Sequence, residues 1–111
     1  MPYGSGGVHD VKANLFRVLG HPARVRILEL LREGERSVGA LQAELGLDSG
    51  GTSQHLAALR RIGLVESRRD GTSVYCRVAD ERVFDLLAAG RSIITRQLSE
   101  QQSILRELGK P

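Results

Sequence analysis

The run Thr52-Ser53-Gln54-His55-Leu56-Ala57-Ala58-Leu59-Arg60-Arg61-Ile62-Gly63-Leu64-Val65 carries two signals at once. Leu56, Leu59 and Ile62 recur at helical spacing, and Gly63 stops the helix. Its early turns display small polar side chains. The helix is predicted to start near Ser49, with Gly50 and Gly51 in a first turn expected to be loose. Upstream, Ser37 is a good N-cap for a short helix carrying Val38, Leu41 and Leu45, and Gly46-Leu47-Asp48 is the turn between the two. Two short helices joined tightly, the second rich in small polar residues, predict a helix-turn-helix.

Beyond Gly63 the period changes. Leu64 to Arg69 and Thr72 to Val78 flank Asp70-Gly71, a strong hairpin signal because a type I′ turn needs positive φ at both central residues. Val74, Cys76 and Val78 share one face, and Arg69 sits at the tip beside Arg68. Such a hairpin behind a helix-turn-helix is a wing.

Working outward, residues 1–7 hold the glycine-rich Tyr3-Gly4-Ser5-Gly6-Gly7 and are expected to be flexible. Val8, Val11, Leu15 and Leu19 follow at helical spacing up to Gly20. His21-Pro22 opens a second helix, with Pro22 in the first turn, where its missing N–H costs nothing. Val25, Leu28 and Leu31, flanked by Ile27 and Leu30, face inward until Gly34. Asp80 is the expected cap of a last helix running almost to Gly109, with Val83, Leu87, Ile94, Leu98, Leu105 and Leu108 on its apolar side. A helix of roughly 29 residues is about 43 Å long, more than a small domain needs for its own core. The fold class expected is mainly α with a β-hairpin wing (α+β). Residues 8–109 are expected to form one winged helix-turn-helix domain, whose overlong last helix calls for a partner helix against its apolar side.

At 111 residues the chain has room for one ordinary domain. Hydrophobic residues at 41% and charged residues at 26% fit a globular chain. No apolar run is long enough for a transmembrane helix, and Met1 to Lys12 lack a signal-peptide core, so a cytoplasmic protein is expected. A single cysteine excludes an internal disulfide framework and a Cys-rich zinc module. Fourteen of the sixteen basic residues are arginines, the side chain best suited to forked contacts with phosphate. Ser37, Ser49, Thr52, Ser53, Gln54, His55 and Arg60 on the helix-turn-helix, with Arg68 and Arg69 on the wing, are therefore the candidate contacts to double-stranded DNA. Glutamine can bond adenine bidentately, and the dipole at the glycine-containing helix start adds anion affinity.

In this order and spacing the chain resembles the ArsR/SmtB-type winged-helix transcriptional regulators of bacteria, over roughly residues 12–90. Phe16 through Leu28 is similar to that family's opening. Ser37-Val38-Gly39-Ala40-Leu41 is similar to its third helix, and Leu47 through Val65 to its recognition helix and exit turn. Arg68-Arg69-Asp70-Gly71 with Val74-Tyr75 is similar to its wing. The resemblance implies a homodimer built by the first and last helices, through Val11, Leu15, Leu87, Ile94, Leu98 and Leu105, on a palindromic operator with half-sites about one helical turn apart, and a repressor-like role under an effector whose identity stays open.

Many members sense metals, and those positions can be checked residue by residue. The thiolate site of the third helix would need cysteines where Ser37 and Gly39 stand, so arsenite-, cadmium- or lead-type sensing is not expected there. The last-helix site uses an Asp, two His and a Glu. Here Asp80 is kept, and Arg82, Ile93 and Arg96 replace the rest, and a charged arginine is no ligand. Two readings of His9-Asp10 stay open: a solvated helix start, or part of a nitrogen/oxygen site for nickel, cobalt or zinc completed across a dimer. His21 reads as a cap, His55 as a DNA contact or a packing residue, and Cys76 as a buried strand residue. A metal-responsive regulator of the same fold and a winged-helix protein-interaction module are the alternatives. No P-loop, nucleophile elbow or paired-carboxylate site argues for an enzyme.

Overall fold

The computed structural model describes residues 7–110; the glycine-rich opening, apart from Gly7, lies outside them. In chain order the elements are α1 (Val8–Leu19), α2 (Pro22–Leu31), β1 (Arg36–Ser37), α3 (Val38–Leu45), α4 (Ser49–Arg61), β2 (Val65–Asp70), β3 (Ser73–Val78) and α5 (Arg82–Leu108). This is the winged helix-turn-helix expected from the sequence. The chain divides into two units, one ending at Asp80 and one beginning at Glu81.

The core of the first unit is built where helical spacing put it. Ile27 and Leu28 of α2, Leu41 of α3 and Leu56 and Leu59 of α4 are fully buried, as is Cys76 of β3. Burying each of these Leu or Ile side chains contributes about 1.5–3 kcal/mol. Local chemistry fixes where the helices begin. His21 caps α2, its Nδ1 accepting the Ala23 N–H at 3.2 Å with Pro22 following. Ser37 caps α3, its Oγ accepting the Ala40 N–H at 3.0 Å. Gly46, at φ 65°, closes α3 in the left-handed conformation that glycine adopts without strain.

Two features of the sheet depart from the sequence reading. A third strand, β1, pairs Arg36 with Cys76 and Ser37 with Tyr75, giving the order β1-β3-β2. Two residues carry no periodicity, so only the β3 edge reveals this strand. The hairpin turn also lies one residue further on. Asp70 pairs with Ser73, leaving Gly71-Thr72 as the turn. Of these two only Gly71 has positive φ, 63°, which rules out type I′ and meets the type II′ requirement. The β-branched Thr72 resists positive φ, so the turn settles where one glycine suffices.

The second unit is α5, whose 27 residues extend about 40 Å. It starts at Arg82, preceded by Glu81, which is already in helical conformation and makes no side-chain cap bond. Ile94, Leu98 and Leu105 are exposed, and Leu87 is half-buried. In α1, Val18 and Leu19 are buried, Leu15 is half-buried, and Val8, Val11 and Phe16 are exposed. Among the described residues no helix is long and apolar enough to cross a membrane.

Candidate nucleic-acid interface

The start of α4 is closed rather than loose. The Asp48 carboxylate accepts the Gly51 N–H at 2.7 Å, and its carbonyl accepts both the Thr52 N–H at 3.1 Å and the Thr52 hydroxyl at 3.0 Å. Gly51 permits this cap, since a Cβ there would stand 3.0 Å from Asp48 Oδ1. Two expectations change as a result. Thr52 is fully buried with its hydroxyl committed to Asp48, so it is a packing residue and not a DNA contact. The positive end of the helix dipole already faces a carboxylate, which removes the anion affinity expected at this terminus. Ser49, Ser53 and Gln54 are exposed, as are Arg60 and Arg61 at the other end of the helix.

His55 points back into the protein. Its Nδ1 accepts from Arg24 Nε at 3.1 Å, and its ring centroid lies 4.3 Å from that of His21. Burial, followed by the charge effects of His21 and Arg24, holds its imidazole below the ordinary range, so it is neutral at pH 7. Of the two roles open for His55, the structure places it in packing between α2 and α4.

The hairpin register decides which wing arginine is available. Arg68 faces Tyr75 and Arg69 faces Val74 across the β2–β3 ladder, so pleating sends the two arginines to opposite faces. Arg68 makes a forked bond to Glu35, at 2.9 and 2.6 Å, and lies 4.8 Å over the Tyr75 ring. That bond lowers the Glu35 pKa and raises that of Arg68. Arg68 thus ties the turn before β1 to β2, an ion pair that competes with the DNA contact expected of it. Arg77 and Glu66 pair on the same face. Arg69 is exposed, has no hydrogen bond or ion pair among the described residues, and shares its face with Ser67. The Ser67 Oγ accepts from Arg60 Nη1 at 3.0 Å. The face carrying Arg69 is therefore the one that α4 reaches.

An open cleft of about 500 Å³ runs between α3, α4 and the wing, lined by Ser37, Gly39, Ser53, Arg60, Thr72 and Ser73. Ser37 is half-buried there, with one lone pair used by its cap bond. Thr72 and Ser73 were missed because the expected turn register placed them differently. Arg24 and Arg61 border the same face, lining a groove with Ser53 and Gln54. His9 and Asp10 lie at the start of α1, Asp10 where its charge complements the dipole. Among the described residues no three His, Cys, Asp or Glu side chains gather as a metal would need. Cys76 is buried, with Sγ 3.4 Å from Ser67 Oγ.

A helix-turn-helix followed by a wing, with polar side chains exposed on its second helix, defines a DNA-binding module. Residues 21–67 match the model of the family described as bacterial regulatory protein, arsR family. The chain is 44% identical over 102 residues to the HTH-type transcriptional regulator Rv0081 of Mycobacterium tuberculosis, covering 91% of this chain and 90% of that protein. The crystal structure of Rv0081 superposes with a TM-score of 0.80 at 45% identity, over 87% of this chain and 98% of that one. The solution structure of a homodimeric winged helix-turn-helix DNA-binding domain from Mycobacterium bovis, Mb0332, gives a TM-score of 0.73 at 35% identity, over 88% and 91%. The biofilm growth-associated repressor of Xylella fastidiosa is 36% identical over 85 residues, 77% of this chain and 75% of that one. The chain belongs to the ArsR family: it is a DNA-binding transcriptional regulator and not an enzyme.

Proposed function

We propose that the protein is a cytoplasmic, sequence-specific repressor that acts as a homodimer on a palindromic operator. The carrying observation is the exposed pair Ser53 and Gln54 on α4, with Arg69 on the wing face that α4 reaches and free of any protein partner among the described residues. Ser53 and Gln54 read base edges in the major groove, Arg69 contacts a phosphate or the neighbouring minor groove, and Ser49 and Arg60 hold the backbone. The homodimer is supported by the apolar positions exposed on α1 and α5, and by the homodimeric Mycobacterium bovis relative. Two α4 helices then meet successive major grooves about 34–36 Å apart. The repressor role is supported by the Xylella relative named as a repressor. An effector that favours one spacing of the two reading helices would control binding by differential affinity.

The test is selection of duplexes from a randomised library by the purified protein, followed by anisotropy titration of the enriched duplex. Enrichment of a palindrome with half-sites one turn apart is expected. Gln54→Ala should then cost about 1–3 kcal/mol on the enriched duplex and much less on a scrambled one. Failure to enrich any sequence, with salt-insensitive binding, would instead favour a protein-interaction module.

A further inference from the structure

Arg24 touches three helices. From α2 its Nη1 donates to the Val18 carbonyl near the end of α1 at 3.2 Å, and its Nε donates to His55 Nδ1 on α4 at 3.1 Å. The His55 ring packs 4.3 Å from His21, whose own Nδ1 accepts the Ala23 N–H as the cap of α2. Each imidazole therefore uses Nδ1 as an acceptor, which is possible only while that nitrogen carries no proton. Arg24 also lines an open groove of about 530 Å³ with Ser53, Gln54 and Arg61, so it borders the reading face itself. Gln54 immediately precedes His55, and any rotation of α4 that follows loss of the Arg24 bond moves Gln54 with it.

We propose that Arg24 is a positioning residue that holds the reading helix through His55, and that protonation of His55 breaks this hold and weakens sequence discrimination. The inference rests on α4 being the reading helix. A proton on His55 Nδ1 would set two N–H groups and two positive charges against each other, and the bond does not survive that. The groups acting on His55 are Arg24 and His21, with no carboxylate among them to offset the charge. Burial and these neighbours delay the proton, so the change falls below the ordinary imidazole pKa of about 6.5. Added positive charge strengthens binding to every duplex alike, so the readout is the ratio of affinities for matched and scrambled DNA.

The probes are the duplex enriched by library selection and a scrambled duplex of equal length, titrated from about pH 7.5 to 5.5, across the imidazole range. The wild-type ratio should fall about tenfold, the order set by one charge-assisted hydrogen bond. His55→Gln, whose amide oxygen can accept from Arg24 without titrating, should keep the ratio flat. Arg24→Ala should show a low ratio already at the upper pH, with far-UV circular dichroism confirming its fold. A His55→Gln profile like that of wild type, or full discrimination by Arg24→Ala, overturns the proposal. If the wild-type protein enriches no duplex, the reading of α4 has failed instead. Nitrogen-15 NMR of the imidazoles then decides the contact alone: a His55 titration unmoved by Arg24→Ala overturns it.

Discussion

At the scale of single residues, neighbouring arginines on one strand do different work. Arg69 and Arg68 are adjacent in sequence, yet pleating gives one to the α4 side and the other to Glu35 and Tyr75. Arg69→Ala should flatten the dependence of log affinity on log salt by about 0.9, the loss of one phosphate contact, and do so equally for matched and scrambled duplexes. Arg68→Ala should leave that slope unchanged. Its pair with Glu35 lies at the surface and is screened by solvent, so chemical denaturation should register little or no loss of stability. A flattened slope in the Arg68 variant would restore it as a DNA contact. Arginine type and hairpin position were legible in the sequence, but the partner of each arginine was not. Glu35 lies 33 residues from Arg68, so no local pattern announces their pair.

At the scale of elements, the start of α4 shows how a cap overrides propensity. Gly50 and Gly51 make this turn read as weak, and Asp48 organises it through three hydrogen bonds. Asp48→Ala should destabilise the protein by about 1 kcal/mol in urea unfolding. Asp48→Asn retains a capping oxygen while removing a charge from the DNA-facing terminus, so it should fold nearly as stably and bind any duplex more tightly at low salt. Gly51→Ala should not deliver the gain of about 1 kcal/mol usual for replacing a helical glycine. Its Cβ would stand 3.0 Å from the capping oxygen. A stabilised Gly51→Ala variant would mean that the cap yields more readily than its geometry implies. The same rule explains Thr52, whose polar character suggested exposure and whose hydroxyl in fact completes the cap from inside.

At the scale of the whole molecule, α5 carries apolar side chains well beyond what one chain covers. Leu87, Ile94, Leu98 and Leu105 are separated by seven, four and seven residues, which keeps them on one side of a helix. Ile94, Leu98 and Leu105 are each more than half exposed in the single chain. Leu98→Glu should convert the dimer to monomer in analytical ultracentrifugation and abolish binding to a two-half-site duplex, with the helical far-UV signal retained. A dimer that persists in this variant would move the interface off this stripe.

The order of the five helices and the wing hairpin, and with it the helix-turn-helix, is legible in the amino-acid sequence alone, whereas β1 is not. That order rests on local signals: Leu56, Leu59 and Ile62 at helical spacing, Ser37 and Pro22 at helix starts, a glycine in the hairpin turn. Only the tertiary structure decided which polar residues of that frame remain available. Thr52, His55 and Arg68 were candidates by type, and each is bonded to a protein partner: Asp48, Arg24 and Glu35. Side-chain type and spacing follow from nearest neighbours along the chain. The partners of His55 and Arg68 lie 31 and 33 residues away and are fixed by packing between distant elements; that of Thr52 is only four residues away, but its burial is decided by the same packing.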